Sequence, residues 1–196
     1  MTLQPYASAK IFIVHGYMAS VDSHWFPWLQ EKLSALGASA KIVQLPQPNH
    51  PDAEEWAAAL REQIGRVDAN TYIVAHSLGC ISSLLYLQQH PDRVQSQLGG
   101  AILVSGFAES LAALPELNPF MHAPLNDERL VSAIRERAVI AARNDEIVPV
   151  EASRQLAQRL DAELHELERG GHFLDSDGFT EFPLALELVI KMIGRA

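Results

Sequence analysis

The chain carries one cysteine in 196 residues, Cys80, so no disulfide can form within it. That usage fits a reducing compartment and makes a stapled secreted scaffold untenable. Positive charge is also scarce. Fifteen Lys and Arg against 24 Asp and Glu leave a net charge of −9, the wrong sign for gripping nucleic acid or an anionic membrane surface. No apolar run is long enough to span a bilayer, and residues 1–10 have neither a basic start nor an apolar stretch of signal-peptide type. The expectation is a cytoplasmic protein with a small-molecule substrate and neither a nucleic-acid nor a membrane partner. Neither G-x-G-x-x-G nor G-x-x-x-x-G-K-[ST] occurs, which disfavours a nucleotide-binding domain. Neither H-E-x-x-H nor a Cys/His cluster occurs, so no metal or other cofactor is expected.

What is present organises itself around Tyr72-Ile73-Val74-Ala75-His76-Ser77-Leu78-Gly79-Cys80-Ile81. Residues 72–75 read as a buried strand, and Leu78, Ile81, Leu84, Leu85 and Tyr86 recur at helical spacing. A serine at a strand-to-helix corner, flanked by small residues two before and two after, has the form of a nucleophile elbow. Gly79 fits that form, and Ala75 stands where a glycine is usual. The bland alternative is a tight turn whose serine caps the helix.

Apolar runs at 11–14, 41–45, 72–75, 100–104, 138–142 and 163–167 read as strands. Helical periodicity falls between them, at 23–36, from the Asp52/Glu55 capping box onward, after the elbow, at 128–135 and at 150–160. A closing helix holds Phe182, Leu186, Val189, Ile190 and Ile193. Three prolines make 46–51 a loop, and 105–127 reads as a loop with one short helix. The alternation predicts an α/β fold: a single domain over 1–196, doubly wound around a mostly parallel sheet of about six strands, with helices on both faces and no large lid.

In such a sheet, ligands bind beyond the carboxyl ends of the strands. Those ends deliver His15-Gly16-Tyr17, Ser77, Asn144-Asp145 and, after two glycines, His172. The chain order Ser77, Asp145, His172 matches nucleophile, acid and base in an α/β hydrolase. A hydroxyl becomes a useful nucleophile once an imidazole takes its proton and a carboxylate orients that imidazole. Asp175, Asp177 and Glu146 are rival acids. Backbone N–H groups of Tyr17 and Leu78 are the candidate oxyanion donors. His15 and His76 read as packed scaffold, His24 and Trp25 as the start of a helix, and Cys80 as structural. Phe107, Phe120 and Phe173 are candidate substrate contacts. Leu111, Leu114, Leu117 and Phe120 would form a shallow apolar rim, which predicts a preference for short acyl chains of roughly two to six carbons.

The pattern H-G-Y-x(7)-H-W-F-P-W-L, with H-S-L-G-C, N-D-x-x-V-P and G-G-H-F further on, resembles the small serine hydrolases of the retinoblastoma-binding protein 9 and YdeN family. The resemblance runs from about Lys10 to Ile193 and implies a minimal α/β-hydrolase core with Ser77, Asp145 and His172 as its triad. It names serine-hydrolase chemistry and no metabolite, and the leading reading is a metal-independent hydrolase of a small ester, thioester or amide. It carries no retinoblastoma partner, because L-x-C-x-E is missing: Leu78-Gly79-Cys80-Ile81-Ser82 has serine in place of glutamate. The competing reading is a non-catalytic binding protein on the same scaffold. The residues do not specify an oligomeric state.

Overall fold

The computed structural model describes residues 6–91 and 97–195. Six strands form one sheet in the order β2-β1-β3-β4-β5-β6, and every neighbouring pair is parallel. The strands are β1 (Lys10–Val14), β2 (Ser39–Val43), β3 (Thr71–His76), β4 (Leu98–Val104), β5 (Ile134–Ala142) and β6 (Glu163–Leu167). Between them run α1 (Phe26–Ala35), α2 (Ala53–Ile64), α3 (Leu78–Gln89), α4 (Asp127–Ala133) and α5 (Val150–Arg159), and α6 (Pro183–Gly194) closes the chain. The doubly wound α/β architecture expected from the alternation is the one observed.

Strand alternation divides the core in two. Ile73 and Ala75 of β3 face Trp56 and Leu60 of α2 and Leu84 of α3. Tyr72 and Val74 face the other way, among Trp25, Phe26 and Leu29 near α1 and Leu188 and Val189 of α6. Every residue of β3 and β4 is buried, which is why these strands read as unbroken apolar runs. After β1 the chain steps outward to β2, then returns to place β3 on the opposite side of β1. The loops leaving β1 and β3 therefore part company at their carboxyl ends, and a crevice opens there.

Where boundaries depart from the periodicity, two have a visible local cause. β2 ends at Val43 rather than Leu45, because the Gln63 side chain takes both the amide and the carbonyl of Gln44 and the amide of Leu45 donates to His15 Nε2. β5 begins at Ile134, inside the stretch expected to be helical to 135. There Arg137 donates to the carbonyls of Val131 and Ile134, satisfying helix-end acceptors from the strand side. The short helix expected in the long loop is a 3-10 helix, Pro115–Met121.

The elbow is a steric fit. Ser77 has φ 53° and ψ −124°, outside the ordinary regions for a residue with a Cβ. Its amide is held by the Val104 carbonyl at 2.8 Å, and its own carbonyl accepts from Cys80 at 2.9 Å. Its side chain makes no capping bond to α3, so the capping alternative fails. The first turn of α3 lies directly on the end of β1. A Cβ on Gly79 would sit 2.5 Å from the His15 carbonyl oxygen and 2.6 Å from that of Val14. Both are backbone atoms that cannot swing aside. Gly79→Ala should cost about 1–3 kcal/mol, lowering Tm by roughly 2–12 °C in a chain of this size. Gly194→Ala, with nothing within 4 Å of the added atom, is the control. Thermal melts check the pair, and equal Tm values for the two variants would contradict the contact.

Candidate active site

The loop after β5 carries Asp145, whose side chain is 2% exposed. Its Oδ1 accepts the amides of Ile147 and Val148, both at 2.9 Å. Its Oδ2 accepts the Ser105 hydroxyl at 2.7 Å and His172 Nδ1 at 2.8 Å. Burial alone would raise the carboxyl's pKa. The donors from His172, Val148 and Ser105 outweigh it and hold the group below the ordinary carboxylate range. An ionised carboxylate can only accept, so Nδ1 of His172 carries a proton and Nε2 presents its lone pair elsewhere.

His172 sits on the loop after β6, and three side chains fix that loop. Asn144 Oδ1 accepts the amides of Gly170 and Gly171 at 2.8 and 3.1 Å. Asp177 Oδ2 accepts those of His172 and Leu174 at 2.9 and 3.1 Å. His76 Nε2 meets the His172 carbonyl at 2.8 Å. A cavity of about 310 Å³ brings the ends of β1, β3, β5 and β6 together. Ser77, His76 and His172 give it polar atoms, and Tyr17, Met18, Leu114, Ile147 and Leu174 give it an apolar wall.

The structure thus brings Asp145 and His172 into direct contact and sets Ser77 and His172 on one cavity. Gly16 places the β1 loop against the elbow. A Cβ there would be 2.9 Å from Ser77 Cβ and 3.4 Å from the Leu78 nitrogen, so glycine keeps the approach to the Leu78 amide open. Of the rival acids, Asp177 is engaged by backbone amides, and the Asp175 amide donates to His24 Nδ1 at 3.1 Å. Glu146 lines a neighbouring cavity of about 280 Å³.

The three phenylalanines do not contact this cavity, and their assignment as substrate residues is corrected. Phe107 is fully buried in the core on the α2–α3 side. Phe120 turns inward on Trp56, with ring centroids 5.4 Å apart, and borders a separate cavity of about 160 Å³ between α2 and α3. Phe173 stacks on Phe182 at 5.1 Å. Large aromatic rings gain more from full burial than from a wet rim. Of the expected rim leucines, Leu114 reaches the cavity, while Leu117 is buried and Leu111 packs on the core.

Ser105, Asn144 and Asp177 escaped the sequence reading as supporting residues. Ser105 does carry a signal: it follows the buried strand β4 directly, at the sheet edge where the other site residues emerge. Asn144 and Asp177 act on backbone amides, and nothing in their spacing announces that. Cys80 is buried, its thiol pushed far above the ordinary range by desolvation, and its Sγ lies 3.6 Å from the Val104 carbonyl. Among the described residues no group of three His, Cys, Asp or Glu side chains could hold a metal ion, and no helix is long and apolar enough to cross a membrane.

Sheet order, elbow and the Asp–His pair at the strand ends define an α/β-hydrolase fold. The serine hydrolase family model matches residues 11–191, and the chain belongs to that family. It is similar to YdeN of Bacillus subtilis (strain 168), with 43% identity over 186 residues that cover 95% of this chain and 97% of that protein. The crystal structure of the B. subtilis ydeN gene product superposes with a TM-score of 0.91 at 41% identity, over 95% of this chain and 99% of that one. The serine hydrolase RBBP9 of Rattus norvegicus is 24% identical over 174 residues, 88% of each chain. Polyneuridine aldehyde esterase shares the fold, with a TM-score of 0.66 at 13% identity over 94% of this chain and 99% of that one.

Burial also sets an acid limit on stability. His15, His24 and His76 all have pKa values lowered chiefly by desolvation, so each binds a proton less readily folded than unfolded. The unfolded chain then takes up more protons as pH drops through about 6.5, and stability falls in that direction. Tm should therefore decline between pH 7.5 and 5 in scanning calorimetry. A Tm that stays level or rises over that interval would contradict the neutral buried imidazoles.

Proposed function

We propose that the chain hydrolyses a small ester, thioester or amide through an acyl-enzyme on Ser77. The observation that carries this reading is the Asp145–His172 contact of 2.8 Å beside a serine held at a strained elbow. Ser77 Oγ attacks the acyl carbon and its proton passes to His172 Nε2, forming an imidazolium that Asp145 stabilises. The carbonyl oxygen takes up the displaced electron pair, and the amides of Tyr17 and Leu78 receive it. Collapse of this intermediate breaks the bond to the leaving group, which departs with the proton from His172. Water then gives a proton to Nε2 and attacks the acyl-enzyme, and the acid leaves as Ser77 recovers its hydrogen. Nε2 must be unprotonated to begin either half, so kcat/KM falls in acid.

The cavity favours an apolar acyl group. A cavity of about 150 Å³ accommodates benzene, and the one at Ser77 offers about 310 Å³ with aliphatic walls. Met18 is 69% exposed at its border, and Ile147 is also exposed, so a substrate chain has apolar surface to cover. This supports the short-acyl expectation at its upper end. Each added methylene should raise kcat/KM by about fourfold while it is being covered. The rise should stop near six carbons in a series of p-nitrophenyl esters. A rise that continues to long-chain esters would contradict the bounded cavity.

A fluorophosphonate probe tests the nucleophile directly. The wild-type chain should be labelled, and Ser77→Ala should fold but stay unlabelled. Asp145→Asn should lower turnover by roughly 10⁴-fold through the wrong imidazole tautomer. Labelling of Ser77→Ala, or normal turnover in Asp145→Asn, would overturn the respective role.

A further inference from the structure

His76 stands immediately before the nucleophile, is buried at the floor of the cavity, and has no part in the steps above. A carbonyl can only accept, so the 2.8 Å contact with the His172 backbone oxygen requires a proton on Nε2 of His76. The ring lies 4.8 Å from that of His172 and packs edge-on against Trp25 and tilted against Phe26. We propose that His76 is a positioning residue, whose Nε2–H holds the His172 backbone at a set distance from the nucleophile on the next residue of its own strand end. The inference rests on the serine-hydrolase reading of the site.

The other tethers on this loop do something different. Asn144 and Asp177 join it to segments following β5 and β6, and neither spans to the elbow. Gly171 at φ 55° and Phe173 at φ 58° flank His172, so its carbonyl points where an unusual backbone sends it. Without a donor there, that buried oxygen would lack its partner, and the loop would settle at another distance from Ser77. An error of about 1 Å in such a geometry can cost about a hundredfold in rate.

His76 must also remain uncharged. Desolvation is the main cause of its lowered pKa, followed by the neighbouring His172; His24 and His15 also face it. Of the carboxylates nearby, Asp145 accepts from the His172 ring, Asp177 accepts backbone amides, and the Asp175 side chain is exposed to solvent. A cation on His76 would oppose the imidazolium that His172 must become during turnover.

The test compares two substitutions. His76→Phe keeps a ring against Trp25 and Phe26 but removes the donor; His76→Gln keeps an N–H at about the same reach. His76→Phe should lower kcat, and the rate of fluorophosphonate labelling, by roughly ten- to a hundredfold. KM should change little, and His76→Gln should recover most of the loss. Equal kcat in wild type and His76→Phe, or no recovery with Gln, would overturn the proposal. If neither variant folds, nitrogen-15 NMR of the wild-type histidines decides the matter. His76 should hold its proton on Nε2 and stay neutral from pH 8 to 5.5, whereas a proton on Nδ1 or titration in that range would overturn it. Failure of wild-type labelling would instead count against the serine-hydrolase reading.

Discussion

The hydrogen bond between Asp145 and His172 is the constraint on which the rest of the site depends. It joins residues 27 apart in sequence and places the proton of the His172 ring on Nδ1. An ionised carboxylate this deeply buried persists only if its oxygens are satisfied, and four donors do so. Ser105 and the amides of Ile147 and Val148 therefore help His172 to keep Asp145 charged. On the proposed mechanism, removing any of them would act on the imidazole through the carboxylate.

Backbone strain gathers around the same place. Among the described residues seven other than glycine have positive φ, and five of them, Met18, His24, Ser77, Ser105 and Phe173, lie in or beside the site. Each such conformation costs of order 1–3 kcal/mol. The surrounding packing supplies the compensation: the Val104 carbonyl on the Ser77 amide, the Ile140 carbonyl on the Ser105 amide, and the aromatic cluster around Phe173. A rigid sheet with both faces covered can hold such residues in place, whereas a flexible loop would relax them.

The sheet was legible because its central strands are buried on both faces and read as short apolar runs bounded by polar turns. Elbow, acid and base were legible as candidates because a parallel sheet delivers residues after each strand to a single edge. Substrate contacts were less so. Phe107, Phe120 and Phe173 each follow a strand or sit in the long loop, yet an aromatic residue at such a position serves a core as readily as a pocket. Sequence alone does not say which way the 3-10 helix at 115–121 turns Phe120. The supporting side chains were hidden for another reason. Asn144 and Asp177 bond backbone amides of a loop, a contact that any short polar residue can make and that leaves no periodicity.

On the proposed mechanism, elbow, acid and base act as one machine with the oxyanion site between the β1 loop and α3. A crystal structure of the protein after reaction with a fluorophosphonate would test this most directly. Phosphorus should be bonded to Ser77 Oγ, with the phosphonyl oxygen within hydrogen-bond reach of the Tyr17 and Leu78 amides. Phosphorus on another residue, or a phosphonyl oxygen turned away from both amides, would contradict it.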